Sequence, residues 1–216
     1  MTGRVLVGIP LGSGGVPAET FEALVNACRG YEVKTFIGRT ELNRNRLCQY
    51  ALEQGYDRLV MLDVDHKHPP DVVGRLVAHQ VPVVAALAFR RMAPYDPMAY
   101  VKTGDTFEIV TEWTGGLMQV TWVASCAVCI ETAVLKRVQW PWWHYPTKRK
   151  FLEGAMRPPT DRISAECPSE DIGFCENCRI AGVPVYCDTG LVTPHLTVLW
   201  ADDNLYRAVI ATARGE

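Results

Sequence analysis

Two aspartates separated by one residue carry the clearest chemical signal in the sequence. Asp63 and Asp65 directly follow the apolar segment Arg58 to Leu62, which is predicted to form a β-strand. In an open α/β sheet, ligands bind beyond the carboxyl ends of the strands. Mg²⁺ and Mn²⁺ prefer oxygen ligands and leave coordination positions free for phosphate oxygens. We therefore predict that Asp63 and Asp65 hold one of these ions, although Asp-x-Asp is also frequent in solvated loops.

A second acidic pair, Glu170 and Asp171, follows Ser169 at the predicted start of a helix. The helix macrodipole favours acidic residues at this position and is enough to explain them. The same dipole would keep a carboxylate ionised, as a general base requires. A structural and a catalytic interpretation are therefore both open.

Three histidines add candidate metal ligands. His66 and His68 lie just beyond Asp65 and are expected to be polar loop residues. His195 follows a predicted strand, Val183 to Cys187, and could complete a metal shell through a neutral imidazole nitrogen. An ordinary hydrogen-bonded histidine is the other interpretation.

The composition argues against several classes of protein. The 216 residues carry a net charge of −2, so a general nucleic-acid binder is disfavoured. The longest apolar run, Val81 to Phe89, is shorter than the ~20 residues that a membrane span needs. The N-terminus does not resemble a signal peptide. We expect a cytoplasmic protein, and a peripheral membrane association stays open.

The eight cysteines are expected to be free thiols, since disulfides are unusual inside most cells. Two pairs have the Cys-x-x-Cys spacing, Cys126 with Cys129 and Cys175 with Cys178. Together they could form a four-cysteine zinc site. Because both pairs lie on predicted regular elements, small buried side chains are the favoured interpretation.

Strands and helices alternate in the first part of the chain. The predicted elements are strand Arg4–Pro10, a helix from Pro17 to Cys28, strand Val33–Ile37, helix Thr40–Gln54, strand Arg58–Leu62, a helix from Pro69 to Val77, and strand Val81–Phe89. This alternation predicts a mostly parallel sheet covered by helices on both faces.

The pattern then changes to an antiparallel hairpin and a long loop. The predicted elements are a hairpin of Met98–Lys102 and Phe107–Thr111, strand Gln119–Ile130, a loop over 140–168, a helix from Ser169 to Ala181, strand Val183–Cys187, and helix Asp203–Arg214. A loop of that length is usually functional or disordered.

Five short segments match the motifs of one enzyme family in their order along the chain. They are Ile9-Pro10, Arg44-Asn45, Asp63-Val64-Asp65, Ser169-Glu170-Asp171, and Asp188 with His195. Together they resemble the GT-A-fold glycosyltransferases that use nucleotide-sugars, especially family-2-like members, over about residues 4–90 and 120–196. The resemblance implies an α/β protein of the GT-A (nucleotide-diphospho-sugar transferase) fold. Its mostly parallel, Rossmann-like sheet would be flanked by helices and would carry a small antiparallel extension.

The resemblance implies that one set of residues contacts a nucleoside diphosphate-sugar donor and its metal. The donor-binding residues would be Pro10, Arg44, Asn45, Asp63 and Asp65. The metal ligands would be Asp63, Asp65 and His195, with Asp65 the more direct ligand. The ion would be Mn²⁺ or Mg²⁺.

It also implies a catalytic role for the second acidic pair. Asp171, or Glu170 in its place, would deprotonate the acceptor if the reaction inverts the sugar's configuration. The enzyme would be a hexosyltransferase acting on a saccharide, lipid or protein acceptor. The chain would form one catalytic domain over 1–216, with a nucleotide-binding half at 1–90, an acceptor and catalytic half at 91–200, and a C-terminal helix at 201–216.

Two other functions stay open. A sugar nucleotidyltransferase usually has a Gly-rich basic loop after the first strand, whereas Leu11 to Pro17 contains no Lys or Arg. A non-catalytic module that binds carbohydrate or protein on the same fold is the second, and the presence of both acidic motifs disfavours it.

The remaining candidates could bind ligand or could be structural. Ala124-Ser125-Cys126 stands where the family often has a small Gly-rich segment. Aromatic side chains that could stack on a sugar, or only pack the loop, are Trp140, Trp142 and Trp143. Basic side chains that could attract a diphosphate, or only face solvent, are Arg90, Arg91, Lys148, Arg149 and Lys150.

Overall fold

The computed structural model describes residues 3–104, 106–146, 169–197 and 201–214. Most of the predicted loop over 140–168 lies outside these ranges, including Lys148, Arg149, Lys150 and Cys167.

Ten strands and six helices occur within the described residues. The strands are β1 (Val5–Leu11), β2 (Glu32–Ile37), β3 (Arg58–Leu62), β4 (Val83–Leu87), β5 (Ala99–Thr103), β6 (Thr106–Ile109), β7 (Leu117–Val120), β8 (Trp122–Val123), β9 (Ala127–Glu131) and β10 (Val185–Val192). The helices are α1 (Ala18–Cys28), α2 (Thr40–Glu53), α3 (Val72–Ala78), α4 (Thr132–Leu135), α5 (Glu170–Ile180) and α6 (Asp203–Arg214).

The main sheet is mostly parallel, as predicted. In the part of the chain that the structure describes, its order is β2-β1-β3-β9-β4-β10-β7. The pairs β1–β2, β1–β3 and β4–β10 are parallel, whereas β9 and β7 run antiparallel to their neighbours. The carboxyl ends of β1, β3, β4 and β10 therefore meet at one edge of the sheet, where a ligand site is expected.

A small second sheet has the order β6-β5-β8. The hairpin of β5 and β6 confirms the antiparallel extension, with Lys102 opposite Phe107. The mixed α/β class, the mostly parallel main sheet and the small antiparallel sheet are all confirmed.

The single strand predicted over Gln119–Ile130 is wrong. That segment contributes to three strands: β7 pairs with β10, β8 pairs with β5, and β9 lies antiparallel between β3 and β4. A continuous apolar run shows that a segment is buried, but it does not show where the chain moves from one sheet to another.

Both faces of the main sheet are covered, which explains why its strands are apolar without alternation. Leu59 and Met61 of β3 face one apolar cluster, which includes residues of α2 and α5. Val60 and Leu62 face the other, which includes residues of α1 and α3. All four side chains are fully buried. Because packing on both faces holds β3 in place, the position of Asp63 at its end is fixed.

The seven cysteines within the described residues are free thiols. Cys175 and Cys178 belong to the cluster on the α5 side of the sheet, whereas Cys129 belongs to the cluster on the opposite side. This placement separates the two Cys-x-x-Cys pairs, in agreement with buried apolar side chains. None of the helices, over the residues that the structure describes, has the length and apolar character to cross a membrane.

Candidate active site

The Asp-x-Asp loop leaves the carboxyl end of β3 and is held by hydrogen bonds at both of its ends. The backbone N–H of Asp63 donates to the carbonyl of Cys126 at 2.7 Å. His68 Nε2 donates to the carbonyl of Asp63 at 2.7 Å. Burial lowers the pKa of His68 to about 4, so the imidazole is neutral and acts as a structural donor. His68 therefore shapes the loop and is not a solvent-facing residue.

The segment that follows β10 runs beside this loop and brings His195 to Asp65. The N–H of Lys67 donates to the carbonyl of Pro194 at 2.9 Å, and the N–H of Leu196 donates to the carbonyl of Asp65 at 2.8 Å. His66 and His195 form an isolated antiparallel bridge, and their rings stack with centroids 4.0 Å apart. A contact between residues so far apart in the sequence becomes visible only in the fold.

Asp65, His66 and His195 form the group of candidate metal ligands that the described residues contain. One ligand atom from each lies within 4.8 Å of the others. Nε2 of His195 is 3.6 Å from Oδ2 of Asp65. We call these three residues, together with Arg91, the Asp65 group.

The proton positions in the Asp65 group suit a cation. His195 Nδ1 donates to the carbonyl of Phe89 at 3.0 Å, so its Nε2 carries a lone pair and no proton. His66 Nδ1 lies 3.0 Å from Oδ1 of Asp65, while its buried Nε2 has no hydrogen-bond partner. Burial lowers the pKa of His66 to about 3, so its imidazole is neutral. These two imidazoles and one carboxylate form a donor set that transition-metal ions accept.

Asp65 is ionised. Burial alone would raise its pKa, but the neighbouring imidazoles of His195 and His66 outweigh burial and hold the pKa below its ordinary value. Arg91 completes the surroundings of the carboxylate: its Nη2 donates to Oδ2 of Asp65, and its Nε donates to Nε2 of His195 at 2.6 Å.

A second group surrounds the buried guanidinium of Arg44. Nη2 of Arg44 donates to both carboxylate oxygens of Asp63 at 2.9 Å, and Nη1 donates to the carbonyl of Ser125 at 3.0 Å. The guanidinium also lies 3.4 Å from Glu170 and 3.9 Å from Asp171. We call Arg44, Asp63, Glu170 and Asp171 the Arg44 group.

One positive charge faces three carboxylates in the Arg44 group, and this imbalance shifts the pKa values. Burial opposes the charge on Arg44, but the three acids outweigh burial and raise the pKa of Arg44. Burial raises the pKa of Asp63, and Arg44 opposes that rise. Burial and the neighbouring Glu170 raise the pKa of Asp171, while Arg44 and Ser125 lower it. The group therefore has surplus negative charge that a cation or a proton would offset.

A cavity of about 290 Å³ lies against both groups. Asp171 of the Arg44 group and His195 and Arg91 of the Asp65 group line it. The apolar part of its wall is formed by Met92, Met98, Trp122, Val123, Ala124 and Ile172. A reacting molecule in this cavity would contact a candidate metal ligand and a carboxylate at the same time.

A larger cavity of about 520 Å³ is lined by Trp140, His144 and four residues farther along α5, which are Glu176, Asn177, Arg179 and Ile180. It contains none of the acids or histidines of the two groups. Its size alone therefore does not make it the reaction site.

The other residues selected from the sequence take different positions. Pro10 is buried in β1, the strand beside β3. Asn45 uses its amide to bind the backbone of Trp143, with Nδ2 donating to the carbonyl at 2.8 Å and Oδ1 accepting from the N–H at 3.2 Å. Asp188 accepts hydrogen bonds from Arg75 and His79, which lie on the α3 side of the sheet.

The three tryptophans also differ in position. Trp143 is buried, lies over Arg44 with its ring 4.9 Å from the guanidinium carbon, and stacks on Phe174 at 4.2 Å. Trp142 is buried too, and Trp140 is exposed. Trp143 therefore belongs to the packing behind the site.

Comparisons with known proteins bear on the fold. No protein-family model matches the sequence, and no curated protein matches it. Among solved structures, A197 from STIV is similar with a TM-score of 0.58 and 19% sequence identity, over 89% of this chain and 85% of that one. Such a low identity shows a shared fold alone.

Two further solved structures align over nearly the whole chain. CMP:2-keto-3-deoxy-manno-octonic acid synthetase complexed with CTP aligns over 99% of this chain and 100% of its own, with a TM-score of 0.49 and 11% identity. The inositol-1-phosphate CTP transferase from T. maritima aligns over 100% of this chain and 98% of its own, with a TM-score of 0.46 and 10% identity. These scores carry no argument about the reaction.

Proposed function

We propose that the protein is a metal-dependent glycosyltransferase that moves a sugar from a nucleoside diphosphate-sugar to an acceptor. One observation carries the proposal: a single cavity is lined both by His195, which belongs to a candidate metal-binding group, and by Asp171, a partly buried carboxylate. Metal-assisted departure of a diphosphate and deprotonation of an acceptor must occur within reach of the same sugar carbon, and this arrangement provides for both.

Of the two candidate ions, the donor set of the Asp65 group fits Mn²⁺ better than Mg²⁺. Asp65 supplies an ionised carboxylate oxygen, and His195 and His66 supply imidazole nitrogens, which favour Mn²⁺ of the two ions. A bound divalent cation would neutralise negative charge on the diphosphate leaving group. Both oxygens of Asp63 already accept hydrogen bonds from Arg44, so we assign Asp63 to the organisation of the site beside the metal.

Asp171 is the better candidate for the general base. It lines the cavity, whereas Glu170 faces the guanidinium of Arg44 and does not line the cavity. Burial and Glu170 raise the pKa of Asp171 to about 6, so the carboxylate is ionised at neutral pH and is a stronger base than an ordinary aspartate. The role of Glu170 is then to raise the pKa of Asp171.

The proposed test is the release of nucleoside diphosphate from a panel of UDP-, GDP-, ADP- and dTDP-sugars, with Mn²⁺ or with EDTA. We expect slow hydrolysis of one donor, which requires the metal and is lost in Asp65→Ala. The matched control is Asp71→Ala, because Asp71 follows the same loop, is exposed, and makes no side-chain capping hydrogen bond. This variant should keep wild-type turnover.

Other results would support other functions. Release in EDTA, or normal release by Asp65→Ala, would contradict the metal-dependent mechanism. Pyrophosphate production from a nucleoside triphosphate and a sugar phosphate would indicate a nucleotidyltransferase. Affinity for a saccharide that needs neither nucleotide nor Mn²⁺, without turnover, would indicate a binding module.

A further inference from the structure

Arg91 lies between the side chains that would ligate the metal. Its Nη2 donates to Oδ2 of Asp65, and its Nε donates to Nε2 of His195 at 2.6 Å. These acceptor atoms lie 3.6 Å from each other. The guanidinium therefore binds the same carboxylate oxygen and the same imidazole lone pair that a divalent cation would use.

Simultaneous binding of both cations is unfavourable. A lone pair that accepts a hydrogen bond from Arg91 is not available to a metal, and His195 has no second one because its Nδ1 proton is donated to Phe89. Two cations a few ångströms apart also repel each other. A metal must therefore displace the Arg91 side chain before it can bind both Asp65 and His195.

The surroundings of Arg91 permit this displacement at small cost. Its side chain is 55% exposed, so it can turn into solvent without opening the core. Its backbone is held in place, since the Thr197 hydroxyl donates to the Arg91 carbonyl at 3.0 Å. Ion pairs with this much exposure contribute little net stability. Arg91 also lines the cavity, so a displaced guanidinium stays near the place where a diphosphate would bind.

We infer that Arg91 competes with the metal for the cation site. Its guanidinium occupies the position between Asp65 and His195 until a divalent ion replaces it. This inference rests on the metal site of the proposed function. Arg91 makes the affinity for free metal weaker than the three ligands alone would give. It also keeps Asp65 and His195 paired when no ion is bound.

The test is a titration with Mn²⁺ in the absence of nucleotide, in which free Mn²⁺ is measured by electron paramagnetic resonance at fixed pH and ionic strength. We expect Arg91→Gln to bind Mn²⁺ more tightly than wild type, by up to about fivefold. The matched control is Arg90→Gln, which removes the same charge one residue away. Arg90 contacts the Tyr100 hydroxyl at 3.2 Å, and its removal should change the affinity by no more than about twofold at physiological salt.

The outcomes separate the inference from the proposed function. If Arg91→Gln binds Mn²⁺ as weakly as wild type or more weakly, while Asp65→Ala abolishes binding, the competition is wrong and the metal site stands. If Arg90→Gln and Arg91→Gln tighten Mn²⁺ binding equally, the loss of one positive charge near the site explains the effect, and the competition is also wrong. If no variant binds Mn²⁺, both the competition and the metal site are overturned. Thermal unfolding of each variant confirms that it is folded.

Discussion

The two halves of the candidate site are built in opposite ways. Asp65, Asp63 and Asp171 are similarly exposed, at 26%, 23% and 20% of their side chains, so the difference lies in the arginines: in the Asp65 group the side chain of Arg91 is 55% exposed. In the Arg44 group, the guanidinium is 2% exposed and touches three acids and a buried tryptophan. An exposed guanidinium such as that of Arg91 can be replaced by an ion from solution. A buried guanidinium such as that of Arg44 keeps one arrangement, because losing its acids would leave a buried charge unpaired. We therefore expect binding to respond to changes in the first group, and stability and proton transfer to respond to changes in the second.

The largest expected effect is on catalysis in the Arg44 group. Asp171→Asn keeps the size of the side chain but removes the base, and general-base catalysis typically contributes about 10²–10⁴ in rate. We expect kcat for transfer to fall by about that factor, with Mn²⁺ affinity unchanged because Asp171 is outside the Asp65 group. Steady-state kinetics with the donor found in the panel would measure it. A kcat close to that of wild type would remove Asp171 from the mechanism.

The next effect is on stability. Arg44→Met leaves three acids without their shared positive partner, and breaking a buried ion pair costs about 3–5 kcal/mol. The free energy of unfolding from urea denaturation should fall by that amount. The control is Arg179→Met, because Arg179 pairs with Glu176 on the surface at 2.8 Å and such a pair contributes about 1 kcal/mol or less. Equal losses in the two variants would show that Arg44 does not organise the buried group.

The elements that carry the acids of both groups could be predicted from the sequence. The position of Asp63 and Asp65 followed from the buried strand before them, since the end of a parallel strand fixes where the next residues lie. The helix that carries Glu170 and Asp171 was also predictable, from its start after Ser169 to Ile180.

The connections between these elements were not predictable from local patterns. His66 was interpreted as a polar loop residue, and its place beside His195 depends on pairing with the segment after β10, more than a hundred residues later. Arg44 lies on a helix whose buried residues include Asn43, Arg44 and Asn45. A run of polar residues normally indicates a solvated face, so the burial of Arg44 depends on acids that only the fold brings to it.

A smaller effect concerns Asn45. In Asn45→Ala, the N–H and carbonyl of the buried Trp143 lose their partner, and unsatisfied buried polar groups cost about 1–3 kcal/mol. We expect a loss of that size in urea denaturation, with little change in the KM for the donor. Asn26→Ala is the control, since Asn26 accepts a hydrogen bond from the exposed Arg29. The donor-binding role implied by the resemblance would instead give a higher KM with nearly normal stability.

The smallest expected effect is a shift of the pH profile of kcat. It concerns the two neighbouring acids of the Arg44 group, Glu170 and Asp171. Burial and the neighbouring Glu170 raise the pKa of Asp171 to about 6. A base works in its ionised form, so kcat should be full above this pKa and should fall about tenfold for each pH unit below it. Because an ordinary aspartate titrates near pH ~4, the acid limb should lie well above that value.

Glu170→Gln tests the direction of this pKa shift. The substitution removes a negative charge that raises the pKa of Asp171, so the acid limb of kcat should move to lower pH. The plateau should stay close to that of wild type, since Asp171 is still present. If Glu170 only stabilised the helix, the variant would unfold more easily but the limb would not move. If Glu170 were itself the base, the plateau would collapse, and the roles within the acidic pair would have to be exchanged.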